Sequence, residues 1–412
     1  MPSGRGVLVF AAGLRLWAVA RIAGSPSLHI IAVGLAVLPF GAALFARWSR
    51  QRLFIRRRLS DTRVPPGRRI TVDLEVENES PASTSFLLIE DRVPAALGRP
   101  ARLVLTGLPA RGKQRVSYSL VPQARGRYPI GPLTVDLSDP FALTRMRVEF
   151  DERDELVVTP EIEPLTGGAA SPFGSGSGQS LSRHLFRTGE EFYTMRQYQT
   201  GDDLRRIHWP SVARSGELMI RQDESSRRSS VLIFLDTRAS ALGQTHQQAF
   251  EKAVSCAASI GLLLSRAGFS LRFASVQVPP TAVSEDQLLD TLATVSHSTS
   301  RSLGPGLTRL RASSSADTTL VVVTAPCPPS ELTSLTRAGL VFGPKIGVLV
   351  HPVDPDTLPP ERRSQLEGRA SVAHVSLSRS GWDVVVLPPS GNLRDVWHVG
   401  RNRPLALSGS SR

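Results

Sequence analysis

The chain has 412 residues, a formal net charge of +13 and two cysteines. At ~100–200 residues per domain, that length predicts two or three domains. A content of 41% hydrophobic and 21% charged residues excludes a wholly disordered chain. Cys256 and Cys327 alone exclude a disulfide-built secreted scaffold and any multi-cysteine zinc or iron–sulfur site. Both lie in apolar runs and read as small core residues in a reducing compartment. Three lysines stand against 46 arginines, a skew that suggests a GC-rich coding sequence more than a chemical requirement.

The charge is concentrated. Nine arginines and one acid, Asp61, fall between Arg47 and Arg69, hence +8 of the +13. This run comes directly after the most apolar segment of the chain, which points to a membrane surface rather than to nucleic acid. Ser27–Ala46 is twenty residues without a formal charge, enough to span the hydrocarbon core. Val7–Ala23 is a poorer span because it carries Arg15 and Arg21, and a central arginine costs ~2.5–3.5 kcal/mol. Beside a strong second helix, with Arg21 snorkelling to the interface, it completes a transmembrane hairpin over residues 1–50. A cleaved signal peptide is the rival reading, since Ala18-Val19-Ala20 resembles a cleavage site. The arginine run then predicts a two-pass plasma-membrane protein with both termini and the folded domains in the cytoplasm.

A β-rich module is expected over 59–163. Ile70–Val76 alternates apolar and polar residues, the period of a half-buried strand. Similar runs are Ser85–Ile89, Ala101–Leu105, Gln114–Val121, Leu133–Asp136 and Arg145–Phe150, separated by turns such as Pro65-Pro66-Gly67 and Arg125-Gly126-Arg127-Tyr128. The spacing suggests an immunoglobulin-like β-sandwich and a spacer or interaction module, since no catalytic constellation is present. Residues 164–180, Gly/Ser-rich from Gly167 to Gln179, read as a linker.

From 230 to 405 strands and helices alternate, which predicts an α/β domain with a parallel sheet and helices on both faces. Ser230–Leu235, Ser270–Val278, Thr318–Thr324, Lys345–Val350 and Trp382–Leu387 are the strands; Thr245–Ala267 is a helix, Ser284 and Gln287 form a capping box, and Ser330 is expected to cap a short helix.

Before that sheet, within 181–229, lies the most distinctive run. Gly201 permits a tight turn, Asp202 or Asp203 can cap the next one, and Arg205 and Arg206 can pair back to those carboxylates. Tyr198, Gly201, Asp202, Arg205 or Arg206, Ile207, His208 and Trp209, then Ala213-Arg214, Leu218 and Arg221, resemble the signature of the domain of unknown function 58 family, in an actinobacterial-type member. Where the family pattern often reads Ile-Asp-Trp, this chain has His208. The resemblance implies a membrane-anchored protein with a von Willebrand factor A-like sheet. It also implies work beside a MoxR-type AAA+ ATPase, together with transglutaminase-like membrane proteins. It carries over no catalytic residue.

Von Willebrand A domains often hold Mg²⁺ through Asp-x-Ser-x-Ser at a strand end, hard oxygen ligands suiting a hard cation. Here Asp236 and Ser240 match, but Arg238 replaces the middle serine, and its charge opposes a cation; no cofactor is expected, and Asp236 is expected to pair with Arg238 or another arginine. The signature residues Asp202, Asp203, Arg205, Arg206, Arg214 and Arg221 are read either as a buried ion network or as a docking surface. The eight histidines are scattered, and no Gly-x-x-x-x-Gly-Lys-Ser/Thr loop is present, so the chain is not itself the ATPase. The expectation is a multi-domain, non-enzymatic membrane adaptor that contacts the lipid bilayer and the ATPase and assists assembly of envelope-associated complexes. The alternatives are a hydrolase using Asp202, Asp203 and His208, and a metal-dependent ligand-binding domain.

Overall fold

The structure, a computed structural model, describes residues 3–50, 53–81, 83–84, 86–138, 143, 145–165, 193–198, 207, 209–223, 230–313 and 315–397. Two compact units divide the chain, residues 1–159 and 160–412.

The first unit opens with two helices, α1 (Gly4–Ala23) and α2 (Pro26–Arg50). Ser3 caps α1, its Oγ accepting from Gly6 N at 3.1 Å. Gly24 ends α1 in the left-handed region, φ 63°, where glycine is unstrained, and Ser25 leads directly into α2. Gly6, Gly13 and Ala20 are the buried residues of α1 and recur every seventh position. A Cβ at Gly13 would meet Ala36 N at 2.7 Å and Ala32 O at 3.1 Å. Small residues are what lets membrane helices pack backbone to backbone. Phe10 and Phe40 meet edge-on, ring centroids 5.7 Å apart, and Arg21 lies over Trp17. Leu8, Ile22, Ile30 and Leu44 face outward and exposed. Both helices are long and apolar enough to cross a membrane. The hairpin is tied to Leu143, far along the chain: Ser3 N and Ser3 Oγ both donate to Leu143 O at 2.8 Å.

Ten strands make up the rest of this unit: β1 (Leu53–Leu59), β2 (Arg63–Val64), β3 (Ile70–Asn78), β4 (Phe86–Asp91), β5 (Ala101–Thr106), β6 (Lys113–Leu120), β7 (Gly126–Ile130), β8 (Leu133–Ser138), β9 (Arg145–Phe150) and β10 (Asp154–Val158). They pair in the orders β1-β3-β6, β2-β10-β7 and β5-β4-β8-β9, all antiparallel except β2 with β10. Alternate residues of β3, among them Ile70, Val72, Leu74 and Val76, enter one core with Leu87, Ile89, Val135 and Leu156. The expected strands are present with ends shifted by a few residues.

Four strands differ from the sequence reading. The module begins at Leu53, inside the arginine run, because β1 turns Leu53 and Ile55 inward and Arg56 and Arg58 outward. Arg57, by contrast, is drawn inside by partners far along the chain. Its Nη2 and Nε bond Asp91 Oδ1 and Oδ2 at 2.7 and 3.0 Å, and its Nη1 bonds Asp154 at 3.0 Å. That guanidinium is a core group and not part of a membrane-facing charge. Arg125–Tyr128, read as a turn, runs into β7, an edge strand where Pro129 is tolerated. β2 and β10 are too short or too acidic at their ends to stand out by alternation.

In the second unit β11 (Tyr193–Gln197) and β12 (Met219–Asp223) form an antiparallel ribbon, with the short helix α3 (Trp209–Ser215) between them in sequence. The main sheet holds β13 (Ser230–Leu235), β14 (Ser270–Ser275), β15 (Thr281–Ala282), β16 (Thr318–Thr324), β17 (Lys345–Val350) and β18 (Asp383–Leu387). Their order is β15-β14-β13-β16-β17-β18, parallel throughout except for the antiparallel edge β15. The helices are α4 (Ala239–Leu242), α5 (Gln248–Arg266), α6 (Glu285–Thr294), α7 (Gly304–Ala312), α8 (Pro329–Gly339), α9 (Pro360–Arg379) and α10 (Leu393–Trp397).

Helices cover both faces, as the alternation predicts. Val231, Ile233 and Leu235 of β13 pack with Phe250, Val254, Leu288 and Trp397. Leu232 and Phe234 point the other way, onto Leu307, Leu332, Leu335 and Leu377. The capping box at Ser284 and Gln287 forms. Ser330 does not cap α8: Pro328 holds that position and Pro329 starts the helix, where its missing N–H and fixed φ suit the first turn. The strand from Ser270 stops at Ser275, whose Oγ accepts from Gln277 N and Val278 N and turns the chain.

Candidate functional site at the strand ends

The sheet order makes β13 and β16 neighbours whose onward connections leave in opposite directions. In open parallel sheets, ligands bind outside the carboxyl ends of the strands at such a switch point. Asp236 lies one residue past β13, fully buried, and Thr324 ends β16.

Arg238 fills the space between them. Its Nε and Nη2 reach Asp236 Oδ1 and Oδ2 at 3.0 and 2.9 Å, its backbone N reaches Oδ1 at 3.0 Å, and Thr324 Oγ1 donates to Oδ2 at 2.8 Å. Arg238 Nη1 continues to Glu331 Oε1 at 2.6 Å, in the first turn of α8. Burial opposes the guanidinium charge, yet the bonds to Asp236 and Glu331 hold its pKa above the ordinary arginine value. Beneath them Cys327 is buried and its thiol is pushed up to about 12 by desolvation. The loop is fixed from the other side by Ala239 N donating to Ser298 O at 2.9 Å. Thr237 Oγ1 and Glu331 Oε2 are buried with no partner among the described residues.

This donor set does not fit Mg²⁺. A cation needs free carboxylate oxygens, and both oxygens of Asp236 face a guanidinium and a hydroxyl. Ser240 is exposed on the one-turn α4; the structure brings Thr324 and Glu331 to Asp236 in its place. Among the described residues no group of three or more His, Cys, Asp and Glu side chains is arranged for a metal. Sequence reasoning missed Glu331, and its one available signal was an acid in the first turn of the helix after β16.

The signature is described in part. Tyr198 N donates to Leu218 O at 2.8 Å, and Met195 pairs with Arg221, so Tyr198 and Arg221 share the β11–β12 ribbon. Trp209 starts α3 with 66% of its surface exposed, and Arg214 is exposed in the last turn. Gly201, Asp202, Asp203, Arg205, Arg206 and His208 lie outside the described residues, as do the Arg221 side chain and the Gly/Ser-rich segment 167–179.

A family model described as "Protein of unknown function DUF58" matches residues 194–323, which takes in the signature and the sheet as far as β16. The uncharacterized protein YeaD of Bacillus subtilis (strain 168) is 25% identical over 237 residues, spanning 55% of this chain and 56% of the relative. Both findings support the DUF58 family. Among solved structures, the CARDB domain of a Pyrococcus furiosus protein in complex with di-metal ions is 14% identical, covering 26% of this chain and 94% of its own, at a TM-score of 0.20. The complex of Zinc 2-glycoprotein and prolactin inducible protein from human seminal plasma is 14% identical, covering 26% and 93%, at 0.21. At such scores neither likeness bears on fold or function.

Proposed function

We propose that this DUF58-type chain is a membrane-anchored, cytoplasm-facing adaptor that works with a MoxR-type AAA+ ATPase in assembling envelope-associated complexes. On this reading the ten-stranded module is an immunoglobulin-like spacer and the C-terminal sheet is von Willebrand factor A-like. The observation that carries it is the closed switch point. The carboxylate at the end of β13 is consumed by Arg238 and Thr324, so the place where such sheets bind a ligand is filled by a buried ion pair. A switch point closed in that way favours a scaffold role over a reaction at that place. The anchor is supported by the Ser3–Leu143 contact, which sets the N-terminus and the β-module at one end of the hairpin. The arginines after α2 favour the cytoplasm for that end.

The test is capture of a MoxR-type ATPase by the detergent-solubilised full chain from its own cell lysate, with and without ATP. Asp202→Ala and Asp236→Ala variants, checked for folding, run in parallel. Nucleotide-dependent capture that a folded Asp202→Ala protein loses supports the adaptor and assigns the signature to the partner surface. Absence of capture under every nucleotide condition overturns it.

A further inference from the structure

We infer that the hairpin-side end of the β-module is itself a lipid-contacting surface, seated on an anionic membrane. This rests on the membrane-anchor reading of α1 and α2. The end in question is defined by pairing. Leu53 lies opposite Asn78, Glu77 opposite Lys113, Phe86 opposite Thr106 and Ser138 opposite Arg145. Asn78 Nδ2 bonds Pro109 O at 3.0 Å and Thr84 N bonds Leu108 O at 2.8 Å, which joins the ends of the sheets. The chain enters here from α2, and Leu143, between β8 and β9, holds Ser3 here.

Among the described residues of the module, four large hydrophobic side chains are exposed: Phe54 (49%), Phe86 (63%), Leu88 (36%) and Val104 (64%). All four belong to this half. Phe54 is the second residue of β1, Phe86 opens β4, and Leu88 pairs with Val104 two positions further in. The opposite end, around Leu59, Asp91 and Leu133, exposes none among the described residues. Scattered exposed apolar residues are ordinary; their confinement to the end that bears two membrane-length helices is not. A soluble partner would need no such coincidence, whereas an interfacial surface buries apolar groups to roughly 5–10 Å among headgroups. The surrounding charge fits anionic lipid. Arg56, midway along β1, and Arg111, beside the turn that Pro109 joins to Asn78, are exposed, and basic groups beside a span attract acidic headgroups. A carbonyl at the depth of Gly6, where any Cβ would collide with Leu143 O, sets the module at the level of the first helical turn.

The experiment places single cysteines in the full chain, labels them with bimane maleimide and reconstitutes the protein into phosphatidylcholine–phosphatidylglycerol nanodiscs. Native Cys256 and Cys327 are buried with thiols pushed up to about 12 by burial, so they stay unlabelled. Phe54→Cys and Val104→Cys report the hairpin-side end from its two sheets, Ala95→Cys the far end, and Val37→Cys the outward face of α2. Headgroup nitroxide lipids are expected to quench positions 54 and 104 severalfold more than position 95, and acyl-chain nitroxide to quench position 37. Quenching at 37 with positions 54 and 104 no different from 95 overturns the lipid-contacting surface and leaves the anchor standing. No quenching at 37 overturns the anchor, and this inference with it.

Discussion

Arg238 grips Asp236 across a single intervening residue, Nε to Oδ1 at 3.0 Å and Nη2 to Oδ2 at 2.9 Å, and the same guanidinium reaches Glu331, 93 residues further along, at 2.6 Å. One cation therefore compensates two carboxylates, on the loop after β13 and the helix after β16. It does so at the carboxyl ends of two neighbouring strands of the parallel sheet.

Removing that cation is expected to be costly. Arg238→Ala leaves Asp236 fully buried beside Glu331 without compensation, and breaking a buried pair typically costs about 3–5 kcal/mol. Urea unfolding of the purified chain measures it. The double variant Asp236→Asn/Arg238→Gln is expected to lose less than the two single variants combined, since neither charge is then stranded. Mg²⁺ is expected to leave the native melting temperature unchanged; a Mg²⁺-dependent rise would contradict the closed site.

How much of this was legible in the sequence differs by element. The parallel sheet was, because buried strands such as SVLIFL and TTLVVVT are continuous apolar runs, and the pairing of Asp236 with Arg238 was, because the two are neighbours. Glu331 was not: nothing in local sequence says which carboxylate folds back onto a guanidinium from 93 positions away. Arg57 failed for the same reason. Three arginines in a row look like a solvated face, and only the folding of β4 and the start of β10 onto β1 reveals that the middle one is a core group.

The Arg57 centre yields a second expectation. Tyr118 donates its hydroxyl to Asp91 Oδ2 at 2.6 Å, and burial, then the bond to Asp91, raises its pKa above the ordinary value of ~10. The folded state therefore keeps a proton that the unfolded chain sheds. Its stabilising contribution is full below pH ~10 and is lost as pH rises beyond it. Tyr118→Phe is expected to flatten that alkaline limb and to cost about 1.5–3 kcal/mol at neutral pH, the range for a hydrogen bond to a charged group. Thermal melts at neutral and alkaline pH separate the two effects.

His351 is expected to contribute at acid pH in the opposite sense. It lies just past β17, is 6% exposed, and its Nδ1 has no partner among the described residues. Desolvation lowers its pKa from about 6.5, with Glu367 and Asp354 opposing. The fold binds the neutral ring, so the contribution is present above pH ~6.5 and is lost as pH falls below it, where the unfolded chain takes up the proton first. His351→Gln is expected to make stability less sensitive to acid over that window. An unchanged slope between neutral and mildly acidic pH would show that His351 is not the group responsible.

The hairpin offers the last expectation, and it separates close packing from mere adjacency. Gly13 faces the backbone of α2 with no room for a side chain, since a Cβ would lie 2.7 Å from Ala36 N, an atom that cannot swing away. A leucine there must push the helices apart. On the proposed membrane-anchor reading, no hydrophobic drive acts between helices in lipid, and close packing is what holds them. The edge-on contact of Phe10 with Phe40 depends on that approach. Cysteines placed at positions 10 and 40 are therefore expected to cross-link efficiently with a short bifunctional reagent in the native background. In Gly13→Leu that yield is expected to fall severalfold, and in Gly13→Ala by less. Equal yields in all three backgrounds would mean that the connection through Gly24 and Ser25 alone sets the spacing.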